Sequence, residues 1–104
     1  TLAGRSMDAV RNTAEQLAAR LTYLLEPISP VEIDDQRCIV QMRSSPPQRE
    51  PDRTTYYELL VDRGGRISLS RYARPRGQTR ELIPAQVTRE VLLRLASDFS
   101  AAAA

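Results

Sequence analysis

A chain of 104 residues, 41% hydrophobic and 27% charged, has material for one core and not two, and should bury roughly two thirds of its unfolded surface. A net charge of +2, a single cysteine (Cys38) that has no internal disulfide partner, and no apolar run near the ~20 residues of a membrane span point to one cytoplasmic domain, 1–104, with no membrane partner; no signal peptide is visible in a sequence that starts at Thr1, and the native start is left open. There is no histidine, so neither a Ser-His-Asp nor a Cys-His device can be assembled, and zinc would find only Cys38 and carboxylates. The expectation is a protein that is not an enzyme, with no catalytic residue, cofactor or metal site.

Ser6 can cap a helix whose first turn holds Asp8, where the helix dipole favours an acid. Val10, Ala14, Leu17, Leu21 and Leu24 then recur at helical spacing, which predicts an amphipathic helix of about twenty residues ended by Pro27. The stripe also suits a short heptad seam and hence a homodimer; barely two heptads are present, which favours a helix laid on its own sheet. Ile28 to Pro30 reads as a connector. Val31–Ile33 and Cys38–Met42 alternate, either as two short strands joined at Asp34-Asp35-Gln36 or as one bulged strand, with Cys38 a small core residue. Residues 44–53 hold three prolines and no aliphatic side chain and read as an exposed connection.

The strongest local signal is residues 54–74, two alternating runs around a glycine pair. A three-residue loop, Arg63-Gly64-Gly65, sets Val61 opposite Ile67, Leu59 opposite Leu69 and Tyr57 opposite Arg71 on one face, with Glu58 opposite Ser70 and Tyr56 opposite Tyr72 on the other. Asp62 and Arg66 then close the turn as an ion pair. A two-residue loop would mix the faces and lose burial. Pro75 to Val87 is too broken by proline and glycine to be regular. Thr88 caps a closing helix, with Val87 and Leu92 as a hydrophobic staple and Val91, Leu92, Leu95, Ala96 and Phe99 as its apolar stripe. The alanine tail 101–104 has nothing to pack against and should fray.

These elements predict an α+β two-layer sandwich in the order α-β-β-β-β-α, an antiparallel sheet of three to four strands with both terminal helices on one face. The expected core is Val10, Leu17, Leu21, Leu24, Val40, Leu59, Val61, Ile67, Leu69, Val91, Leu95 and Phe99. The other sheet face is left to water or to a partner.

All fifteen basic residues are arginine, a bias that an Ala- and Arg-rich composition explains without function. Their distribution is more informative. Residues 1–30 are neutral, 31–62 carry a net −3, 63–80 carry six Arg and no acid, and 81–104 carry a net −1. Arg66, Arg71, Arg74, Arg76 and Arg80, with Tyr72 among them and Tyr56 across the hairpin, form the candidate partner-binding set. Guanidinium groups fork onto carboxylates and phosphates. The leading expectation is a non-catalytic interaction or adaptor domain for an acidic or amphipathic protein segment. The alternative is a single-stranded nucleic-acid module in which Tyr56 and Tyr72 stack on bases.

Overall fold

The computed structural model describes residues 2–85 and 87–103. Ser6 is extended, and its Oγ accepts the Ala9 N–H at 3.2 Å, which fixes the start of α1 (Met7–Arg20). Val10, Ala14, Leu17 and Ala18 are buried on one side of it. The chain then tightens into a 3-10 turn, Leu21–Leu24, and stops at Leu25, which takes left-handed backbone (φ 62°) two residues before Pro27. The expected twenty-residue helix is therefore a 14-residue α-helix plus four 3-10 residues, its apolar stripe carried through to buried Leu21 and Leu24.

Among the described residues six strands follow, more than the three to four expected, in one antiparallel sheet ordered β1-β2-β4-β5-β6, with β3 paired beside the start of β4. They are β1 (Ile28–Asp34), β2 (Ile39–Ser44), β3 (Gln48–Arg49), β4 (Arg53–Asp62), β5 (Ile67–Pro75) and β6 (Glu81–Ile83); α2 (Arg89–Ala103) closes the chain. Three segments expected to be irregular thus contribute strand. Ile28–Pro30 pairs with Met42–Ser44, followed by a register shift between Pro30 and Glu32. Within 44–53, Glu50-Pro51-Asp52-Arg53 makes a turn, Glu50 N–H on the Arg53 carbonyl at 2.8 Å, and lets Gln48–Arg49 fold back on Thr54–Thr55. After β5, the Gln78 N–H bonds the Pro75 carbonyl around Gly77 (φ 73°) and returns Glu81–Ile83 along Arg71–Ala73. Short pairings of this kind carry no hydrophobic alternation to announce them.

Residues 31–43 are two strands, joined at a turn in which Asp34 Oδ1 accepts the Arg37 N–H at 3.0 Å. Cys38 is not a core residue: it sits in that turn at φ 56°, half-buried, its Sγ 3.5 Å from the Asp35 carbonyl. The side chain of Val31 lies outside the described residues.

The β4–β5 hairpin has the expected register, Val61 opposite Ile67, Tyr57 opposite Arg71, Glu58 opposite Ser70 and Tyr56 opposite Tyr72. Gly65, at φ 90°, takes the left-handed last position of the loop. One detail is corrected. Among the described residues Asp62 and Arg66 form no ion pair; the Asp62 carboxylate instead accepts the Arg66 backbone N–H at 2.9 Å. A carboxylate two bonds from the backbone reaches the nearest amide more readily than a solvated guanidinium.

The inner sheet face, carrying Val40, Met42, Tyr57, Leu59 and Val61, is covered by α1, and α2 lies alongside α1. Of the expected core, Val10, Leu17, Leu21, Leu24, Val40, Leu59, Val61 and Leu95 are buried, while Ile67, Leu69, Val91 and Phe99 are partly buried at its margin. Each fully buried Leu or Val contributes about 2 kcal/mol of transfer free energy. On α2, Thr88 Oγ1 accepts the Val91 N–H at 3.2 Å as the expected cap. The staple is not closed, since Val87 packs on the core while Leu92 stays 57% exposed. The tail is not loose through residue 103: Ala102 packs on the core and the Ala103 carbonyl accepts the Leu2 N–H at 3.2 Å; Ala104 lies outside the described residues. Leu2 is fully buried, and Gly4 N–H bonds the Arg63 carbonyl at 2.8 Å, so the N-terminal arm is held between the hairpin loop and the end of α2.

Two predictions follow from these contacts. A Cβ on Gly65 would lie 3.3 Å from the Ala3 Cβ in a backbone conformation that L residues avoid, so Gly65→Ala should lose about 1–2 kcal/mol in urea unfolding. Tyr23 donates to Asp98 on α2 at 2.7 Å, and burial, followed by that hydrogen bond, holds its phenol well above the usual 10.0. Because the folded state favours the neutral phenol, this contribution is complete below pH 10 and declines as pH rises past it. An ultraviolet titration should show Tyr23 ionising above the ordinary 10.0, and Tyr23→Phe should flatten the loss of stability above pH 10; an unchanged alkaline slope would contradict the assignment.

Candidate functional site

Alternate residues of a strand face opposite ways, so β5 distributes the candidate arginines among different surroundings. Arg66 is exposed at the hairpin loop. Arg71 and Tyr72 lie in mid-sheet on opposite faces, and Arg80, in the segment before β6, reaches over the Tyr72 face. Arg74 and Arg76 are exposed at the far end of β5. The seven residues expected to act together thus do not form one surface.

Arg71 points to the inner face, beyond the part that α1 covers. Its guanidinium bonds Glu26 Oε2 at 3.0 Å and Thr55 Oγ1 at 2.9 Å, and lies 4.5 Å from the centre of the Tyr57 ring. The pair is mostly buried, its side chains 12% and 10% exposed. Glu26 also accepts Ser44 Oγ at 3.1 Å, and Ser44 Oγ accepts the Tyr57 N–H at 2.8 Å. That chain of bonds replaces the ladder where β2 leaves β4. Arg71 is therefore a structural group, which sequence spacing concealed because Glu26 is 45 residues away.

The outer face is not open around its centre. Glu58, 3% exposed, receives Arg80 at 2.6 Å and Gln41 at 2.9 Å on the same oxygen, with Arg43 at 3.5 Å. Arg80 also reaches the Tyr56 hydroxyl at 3.3 Å and stacks 3.9 Å from the centre of the Tyr72 ring; Arg43 lies 5.2 Å from that of Tyr56. The hydrogen bond that Arg80 donates to Glu58, then the one it donates to Tyr56, pushes the Arg80 guanidinium further above its ordinary value. Tyr56 and Tyr72 do meet, ring centres 5.9 Å apart, but each carries an arginine of the same chain.

The third location differs. Arg74 and Arg76 border a hollow of about 280 Å³ at the end of the sheet, together with Arg49, Arg53, Glu50, Asp52, Pro47 and Pro51. Arg53 is paired with Glu50. Among the described residues Arg49, Arg74 and Arg76 form no ion pair, and all three are exposed. Arg74 Nε reaches only the Gln78 carbonyl, at 3.4 Å, and the Arg76 backbone N–H on the Asp52 carbonyl at 3.0 Å joins the two turns that frame the hollow. Arg49 was not singled out from the sequence; the Glu-Pro-Asp-Arg turn that carries it back beside β4 was the available signal. Among the described residues no helix is long and apolar enough to cross a membrane.

The three locations respond differently to substitution. Arg71→Ala leaves Glu26 without its partner and should cost on the order of 3 kcal/mol. Arg80→Ala, at a site 38% exposed, should cost about 1 kcal/mol. Arg74→Ala and Arg76→Ala should stay within about 0.5 kcal/mol of the parent in urea unfolding.

Compared with protein-family models, curated proteins and solved structures, the chain matches none, so its function is argued from these side chains alone.

Proposed function

We propose that the domain is a non-catalytic, cytoplasmic interaction module that holds an acidic protein segment at the basic end of its sheet. The observation that supports this most is the contrast between the arginines: Arg71, Arg80 and Arg43 sit on the chain's own carboxylates, whereas Arg49, Arg74 and Arg76 surround one hollow without a carboxylate partner among the described residues. Exposed guanidinium groups cost little to keep in water and fork onto a carboxylate that arrives with a partner. Pro47 and Pro51 beside them stiffen the hollow and lower the entropy lost on binding.

A protein segment is preferred to single-stranded nucleic acid because base stacking would need ring faces that Arg80 and Arg43 already occupy. The stripe of α1 is buried in the chain's own core, which removes the heptad seam as grounds for a homodimer.

The test is a fluorescence titration of a Glu/Asp-rich peptide at roughly 50 and 200 mM salt. Binding should weaken with salt and fall about tenfold or more in R49A/R74A/R76A, with the fold intact by circular dichroism. No binding at the lower salt, or equal binding by the triple variant, would overturn the proposal.

A further inference from the structure

The charge of the hollow is more specific than a general preference for acids. It is bordered by four arginines, Arg49, Arg53, Arg74 and Arg76, and by two carboxylates, Glu50 and Asp52, a local surplus of +2. Glu50 is engaged by Arg53 Nε at 2.5 Å. A single incoming carboxylate has one charge and two coplanar oxygens, which one guanidinium saturates. It would leave two of the three unpaired arginines without an acceptor. A phosphate monoester carries about −1.5 to −2 at neutral pH and three acceptor oxygens spread tetrahedrally, so it can accept from donors that converge from β3, the end of β5 and the turn after it.

The framing segments support the same ligand. Arg49 comes from β3 and Arg74 from β5, both opposite Thr54 and so in one row across the sheet, while Arg76 comes from the turn tied by its N–H to the Asp52 carbonyl, so the three arginines border the hollow from three backbone segments. A volume of about 280 Å³ holds a phosphate head with the side chain bearing it. We infer that the acidic segment held by this end of the sheet is a phosphorylated one, its phosphoserine, phosphothreonine or phosphotyrosine monoester seated among Arg49, Arg74 and Arg76. The inference rests on the interaction reading above and narrows its partner.

The experiment compares three labelled probes on the full chain at one salt concentration: a short Gly/Ser peptide with a single phosphoserine, the same peptide with Glu in its place, and single-stranded RNA. The phosphopeptide should bind about tenfold or more tightly than the Glu peptide, and Arg49→Ala, Arg74→Ala and Arg76→Ala should each reduce its affinity about tenfold while leaving Tm unchanged. Lowering the pH through about 6, where the phosphate takes up its second proton, should weaken the phosphopeptide and leave the Glu peptide unaffected. Equal affinity for the phospho- and Glu peptides would overturn the phosphate assignment and leave the acidic-segment reading standing. Tighter binding of RNA than of the phosphopeptide would overturn it in favour of phosphodiesters. No binding of either peptide would remove both readings.

Discussion

The two-residue period of β5, locked to β4 by the Gly65 loop, decides which face each side chain of the hairpin occupies. Shifted by one residue, Arg71 would face water and Tyr72 would enter the core. In the observed register each face of the sheet has one mostly buried carboxylate held by arginine: Glu26 by Arg71 inside, Glu58 by Arg80 and Arg43 outside. Burying a carboxylate is expensive unless it is paired and hydrogen-bonded, so these two clusters raise the cost of any slipped pairing far more than they raise net stability.

That division also separates structural from available charge. Among the described residues, part of the charge is paired within the chain: Arg43 and Arg80 on Glu58, Arg71 on Glu26, Arg53 on Glu50 and Arg11 on Glu15. At the end formed by β3, the last residues of β5 and the two adjoining turns, Arg49, Arg74 and Arg76 stay outside those pairs. Turns place their side chains outward, away from the carboxylates that the strands align, and the prolines that make those turns have no donor or charge of their own to offer.

Much of the fold was legible because hydrophobic periodicity and glycine chemistry are local. Val10 to Leu24, the alternation of 55–61 and 67–73, and the cap at Thr88 each act within a few residues, and each led to the element observed. β3 and β6 were not legible, since strands of two or three residues pair on the strength of a turn and a neighbouring edge and are too short to show a pattern of their own. The site was half legible for the same reason. Arg74 and Arg76 are exposed because of the local turn, whereas the fates of Arg71 and Arg80 depend on Glu26 and Glu58, 45 and 22 residues away, and on which face of the sheet each occupies. The inner face offered no hint that Ser44 would replace a missing ladder bond.

The N-terminal arm gives the molecule a polarity. Leu2 is bonded to Ala103 and Gly4 to the hairpin loop, so both described ends of the chain meet at the pole where β4 turns into β5. Arg49, Arg74 and Arg76 lie at the opposite pole, a strand length of roughly 30 Å away. Anything joined to either end would therefore hang from one point and leave the hollow facing outward, an arrangement in which the domain can be tethered and still present its basic end unobstructed.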